Sequence, residues 1–149
     1  MSRVNILRVY LNKITKKGAL KRIGKFVERS ESKYVVTPNP EILLQSEQDE
    51  EFFYILNQAE LSLPDGIGLK IAGWFLGKNL YRIPGADLTE ELLEMAQKKQ
   101  WPVGIINYRE GLSSDERIEQ ALQKRFPALR VLVSSASRQE DEIKDFRDE

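Results

Sequence analysis

Apolar and polar positions along the chain follow two periods, one near 3.6 residues and one near 2. Behind Thr15, a suitable cap, Ala19, Leu20, Ile23, Phe26 and Val27 form one apolar stripe, and Lys16, Lys17, Lys21, Arg22, Lys25 and Arg29 take the opposite face. A β-rich run at Tyr34-Val35-Val36-Thr37 stops at Pro38-Asn39-Pro40. Asn39 suits an N-cap and Pro40 the first helical position, so a short helix is predicted through Ile42 and Leu44. Asp49 opens another helix, with Phe52, Phe53, Ile55, Leu56 and Ala59 apolar. Leu61-Ser62-Leu63 reads as a second strand ending at Pro64-Asp65-Gly66. Ile67 to Leu76 then reads as a largely buried helix, Trp74 in the core, closed by Gly77.

After the irregular stretch Lys78 to Gly85, Asp87 and Glu90 make a capping-box-like pair ahead of Leu88, Leu92, Leu93 and Ala96. Val103 to Ile106 is a third strand, with Trp101 at its edge. Ser113 and Glu116 open a helix carrying Ile118, Ala121, Leu122 and Phe126, and Leu129 to Val133 is a fourth strand. Strands separated by helices, with turn residues at nearly every junction, predict an α/β fold: a mainly parallel, Rossmann-like sheet flanked by helices. One domain is expected over residues 1–136, followed by an acidic, charged tail over residues 137–149.

Composition narrows the chemistry. The 149 residues suffice for one hydrophobic core without disulfide or metal staples. Cysteine and histidine are both absent, which excludes thiolate catalysis, His-based triads and Cys- or His-ligated metal, and no D-x-D pair occurs for a metal-bound nucleotide sugar. No metal and no cofactor is expected. Lys plus Arg equals Asp plus Glu at 23 each, so no global charge argues for nucleic acid. The charge is uneven: residues 1–33 hold ten cations against Glu28 and Glu31. That basic helix could face anionic lipid, or be an ordinary solvated face; without aromatic stacking platforms it does not read as a nucleic-acid surface. The start lacks a signal-peptide pattern and no apolar run is long enough to span a bilayer, so a cytoplasmic protein is the expectation.

Open parallel sheets bind ligands outside the carboxyl ends of their strands. Two such ends carry suitable side chains here: Thr37-Pro38-Asn39-Pro40-Glu41 and Pro64-Asp65-Gly66-Ile67-Gly68. If the two strands are neighbours, Thr37, Asn39 and Asp65 converge on one crevice, with helix-start amides suited to a phosphate or carboxylate. Taken singly, Asp-Gly is also a common turn and Asn before Pro a common cap. Gly66-Ile67-Gly68 has Ile71 where a dinucleotide fingerprint needs its third glycine, and no P-loop occurs.

Four segments in order resemble the core signature of the WecG/TagA/CpsF glycosyltransferase family. They are T-x-N-x-E-I at Thr37 to Ile42, L-N-x-A-x-L at Leu56 to Leu61, P-D-G-x-G at Pro64 to Gly68, and R-x-x-G-x-D at Arg82 to Asp87. Weaker similarity runs from about Val4 to about Leu132. The resemblance implies an inverting transferase that moves N-acetylmannosamine, or a related sugar, from a UDP donor to an undecaprenyl-diphosphate-linked acceptor. Such enzymes serve wall teichoic acid, common antigen or capsule synthesis. It implies Asp65 as general base, with Thr37, Asn39, Gly66 and Arg82 binding substrate, and a place at the inner face of the cell membrane.

The chain departs from the family pattern in two places. A Gly-rich turn is expected after the third strand, where Asn107-Tyr108-Arg109-Glu110-Gly111 stands instead. The later G-x-P-x-Q-E-like segment, part of the donor site, and the basic C-terminal appendage are not found, so the domain reads as incomplete. Two readings therefore stay open: the enzyme itself, or a shortened, non-catalytic module that keeps the acceptor half of the crevice. A chain of this kind would leave a sheet edge and an apolar face uncovered, favouring a homo-oligomer.

Overall fold

A computed structural model describes residues 2–137, and the expected acidic tail from residue 138 onward lies outside the described residues. The fold is mixed α/β, with six helices among the described residues and short parallel strand pairs in Rossmann-like β-α-β order. The chain divides between Glu90 and Glu91 into two compact units.

The first unit opens with a hairpin that the apolar pattern did not announce: β1 (Arg3–Ile6) pairs antiparallel with β2 (Val9–Asn12). Its two-residue turn, Leu7-Arg8, holds both residues at positive φ, +49° and +64°, a conformation usually signalled by Asn or Gly. Helix α1 (Lys16–Glu28) follows, and Thr15 Oγ1 accepts the Gly18 N–H as anticipated. Strand β3 (Val35–Val36) leads into α2 (Pro40–Ser46), and α3 (Glu50–Gln58) leads into β4 (Leu61–Ser62). Strands β3 and β4 are parallel neighbours, Val35 opposite Leu61 and Val36 opposite Ser62.

Val4, Ile6, Val9 and Leu11 from the hairpin close over Leu43, Leu56, Leu69 and Leu80 in one buried cluster. The hairpin is tied to the parallel pair by a side chain: buried Asn12 accepts the Ser62 N–H on Oδ1 at 2.7 Å. This bond satisfies a main-chain donor that no neighbouring strand reaches.

Helix α4 (Ile67–Phe75) is not the buried helix anticipated. Leu69 and Gly73 are buried, but Trp74 is 73% exposed and Phe75 78%, so Trp74 is no core residue. One face only is covered. Gly77, at φ +67°, does end the helix: its N–H reaches Trp74 O, and the Lys78 N–H reaches Gly73 O. Helix α5 (Gly85–Lys99) starts earlier than the Asp87/Glu90 pair suggested, which puts Asp87 in its first turn.

In the second unit β5 (Val103–Tyr108) and β6 (Val131–Ala136) are parallel over six residue pairs, with α6 (Asp115–Arg125) between them in sequence. Strand β6 lies two residues later than expected, because the Leu129 N–H bonds Phe126 O in a turn that keeps Leu129 in the core. Ser114, not Ser113, caps α6. Ala96, Phe126 and Leu129 form the buried cluster, and Trp101 packs against it together with Val103.

Candidate functional site

Three loops of the first unit meet at the carboxyl ends of β3 and β4. The parallel pairing continues past the strands: the Leu63 N–H bonds Val36 O at 2.8 Å and the Asp65 N–H bonds Pro38 O at 2.9 Å. The Ile83 N–H bonds Pro64 O at 2.9 Å, which lays the start of α5 along the same edge. Thr37, Asn39, Asp65 and Gly66 therefore occupy adjoining turns, as neighbouring strands require.

Asp65 is half-buried, and its Oδ2 accepts the Gly85 N–H at 2.9 Å. Gly85 is the first residue of α5, so the carboxylate caps a helix start and lies in the favourable end of that helix's dipole. Its other oxygen has no hydrogen-bond partner among the described residues. Thr37 also stands against Gly85: a Cβ built there would lie 2.7 Å from Thr37 Oγ1 and 3.6 Å from Asp65 Oδ2. Sequence reasoning did not put Gly85 in the site, although it is the glycine of the R-x-x-G-x-D segment.

Asn39 spends its oxygen locally, since Oδ1 accepts the Ile42 N–H at 2.8 Å and caps α2. Its amide nitrogen is the group left for a ligand. Gly66 sits at φ +100°, in the left-handed region, 3.4 Å from Pro40 Cδ by its would-be Cβ. Gly68 meets Pro40 Cγ at 3.0 Å in the same way. The two glycines let the starts of α2 and α4 lie side by side. Helix α4 has no side-chain cap and presents its first-turn amides, whereas α2 begins with Pro40 and has its Ile42 N–H taken by Asn39. Arg82 stands exposed beside buried Ile83, on the segment that reaches Pro64. It is near in sequence to the meeting point, but no bond ties its guanidinium to Asp65 or Thr37.

The second unit carries a separate polar cavity of about 470 Å³ at the carboxyl ends of β5 and β6, lined by Asn107, Arg109, Ser113, Asp115 and Ser135 among others. Asp115 Oδ1 accepts from Ser135 Oγ at 2.6 Å and from Asn107 Nδ2 at 2.9 Å. The Ser135 hydroxyl, the Asn107 amide and the charge of Arg109 hold the Asp115 carboxyl below its ordinary value of 3.8. The Ser114 hydroxyl likewise holds Glu116 below 4.5. Two carboxylates thus already occupy the start of α6, where a Gly-rich turn would have left room for a ligand's anion. Among the described residues, no three acidic side chains gather to hold a metal ion.

The model of the glycosyl transferase WecG/TagA/CpsF family matches residues 4–147. An N-acetylglucosaminyldiphosphoundecaprenol N-acetyl-beta-D-mannosaminyltransferase of Bacillus spizizenii strain W23 is 36% identical over 76 residues, 50% of this chain and 30% of that protein. Proteins of the same name from Staphylococcus aureus strains MRSA252 and NCTC 8325 are 29% identical over 129 and 131 residues. Each match covers 85% of this chain and 50% of the staphylococcal protein, so the chain spans about half the length of these relatives.

Proposed function

Because the chain belongs to the WecG/TagA/CpsF family of glycosyl transferases, we propose that it transfers N-acetylmannosamine, or a related sugar, from a UDP donor to a lipid-linked acceptor. The acceptor is an undecaprenyl-diphosphate sugar, and Asp65 is the general base. The relatives' names supply the sugar and the acceptor class. The observation that carries the reading is the meeting of Thr37, Asp65 and Gly85 at the ends of two parallel strands.

A sugar hydroxyl is a weak nucleophile until a base takes its proton. The Gly85 N–H fixes one oxygen of the Asp65 carboxylate, leaving the other to accept that proton. As the hydroxyl oxygen bonds the anomeric carbon, the bond from that carbon to the diphosphate breaks, and UDP departs with the electron pair. The first-turn amides of α4, opened by Gly66, and the guanidinium of Arg82 are the groups of this unit suited to anionic phosphate oxygens. Thr37 and the free amide of Asn39 serve to orient sugar hydroxyls.

Turnover of the 149-residue chain with UDP-N-acetylmannosamine and a lipid-linked acceptor tests the reading. Asp65→Asn is expected to lower kcat by about 10²-fold or more. Equal turnover in the variant would remove Asp65 from the mechanism.

The two carboxylates, Asp115 and Glu116, at the start of α6 favour a second reading, an acceptor-binding module without catalysis. Calorimetric titration separates the two. Micromolar binding of UDP supports the transferase, and no binding by the folded chain supports the module.

A further inference from the structure

Helix α4 is apolar almost all round, yet only one side of it is covered. At about 100° per residue, Leu69, Ala72 and Gly73 point together, and Leu69 and Gly73 are buried. Ile67, Ile71, Trp74 and Phe75 fall in a sector of about 100° on the opposite side, as wide as an ordinary core stripe. They are 58%, 46%, 73% and 78% exposed, and the Trp74 and Phe75 rings stand together at 5.2 Å between centroids. Single exposed apolar residues need no explanation, but a continuous stripe ending in two aromatics does.

The charge around the stripe indicates what covers it. From Gly66 to Gly85 the chain carries Lys70, Lys78 and Arg82 and no acid, although the whole molecule is neutral. All three cations are exposed. Two copies packed through this face by a two-fold axis would set like charges against like. An anionic bilayer surface instead pairs with the cations and takes the aromatic stripe at the headgroup boundary, the composition expected of an interfacial helix.

We infer that the outer face of α4 docks on anionic lipid, with Trp74 and Phe75 inserted and Lys70, Lys78 and Arg82 against the headgroups. Asp65 lies just before this helix, within roughly 15 Å of Trp74 along its axis. Docking would therefore hold the strand-end site at the membrane surface. The inference goes beyond the proposed reaction and does not depend on it, because the test contains neither donor nor acceptor.

A Trp101→Phe chain leaves Trp74 as the only tryptophan. With vesicles of phosphatidylcholine and phosphatidylglycerol, its emission is expected to shift to the blue and the protein to sediment with the lipid. Pure phosphatidylcholine vesicles are expected to give a much weaker effect. Lys70→Glu with Lys78→Glu, at exposed positions that leave folding intact, is expected to weaken partitioning by at least about 5-fold per cation. Trp74→Ser with Phe75→Ser, checked for native circular dichroism, is expected to abolish it. No association of the folded chain with anionic vesicles overturns the inference. So does association unchanged in both double variants, or a lipid-independent dimer that shields Trp74 from an aqueous quencher.

Discussion

Gly85 has no room for a side chain. Its would-be Cβ falls 2.7 Å from Thr37 Oγ1, and its N–H is the donor that fixes Asp65. Gly85→Ala is expected to push these groups apart and destabilise the fold by about 1–3 kcal/mol, read from urea unfolding. Any activity should fall further than the lost stability explains. Thr37 and Asp65 could be named from the strand ends alone, because their positions follow from local turn chemistry. Gly85 could not, since its role comes from a chain segment twenty residues away returning to Pro64.

Asp115 offers a test by pH at the same scale. Its folded carboxyl lies below the ordinary 3.8, so the folded state binds fewer protons there than the unfolded chain. The resulting stability is present above that ordinary value and is lost as pH falls through the folded one. Between about pH 5 and pH 3, Asp115→Asn should therefore lose stability less steeply than the parent chain, measured as midpoint against pH.

At the scale of elements, chain turns cost the most foresight. The hairpin of β1 and β2 turns through Leu7 and Arg8, held in the left-handed region by an Asn5 side chain accepting the Arg8 N–H and by Arg8 stacked 4.5 Å over Phe53. No Asn-Gly marks it, so the sequence pattern does not signal these two strands. Helix α1 ends similarly, with Ser30 at φ +52° where Gly is usual. Ser30→Gly is expected to stabilise the protein by about 0.5–1 kcal/mol, seen as a raised Tm. By contrast the caps Thr15, Asn39 and Asp49 fell where expected, because each bond spans three residues. Helix α4 misled for the opposite reason: apolar residues all round signal burial, and only the packing reveals which side is left open.

At the scale of the molecule, stability rests on small clusters within each unit, and each large side chain in them counts. Leu11 is fully buried in the first cluster, and Leu11→Ala is expected to cost about 2–5 kcal/mol by chemical denaturation. Against a typical total of about 5–15 kcal/mol that is a substantial share. Parallel α/β organisation was legible from strand–helix alternation, whereas the division at Glu90 was not, because it falls inside the uninterrupted pattern of α5. The Asn12–Ser62 bond has a consequence of heredity. Any residue but proline can offer a strand its main-chain N–H and C=O, so ladders survive most mutations. Here the acceptor joining hairpin to parallel pair is a side chain, and it depends on a single codon. One base change to isoleucine would remove that acceptor and leave the Ser62 N–H without its partner, with every strand pairing intact, so this lineage can lose the join in one evolutionary step.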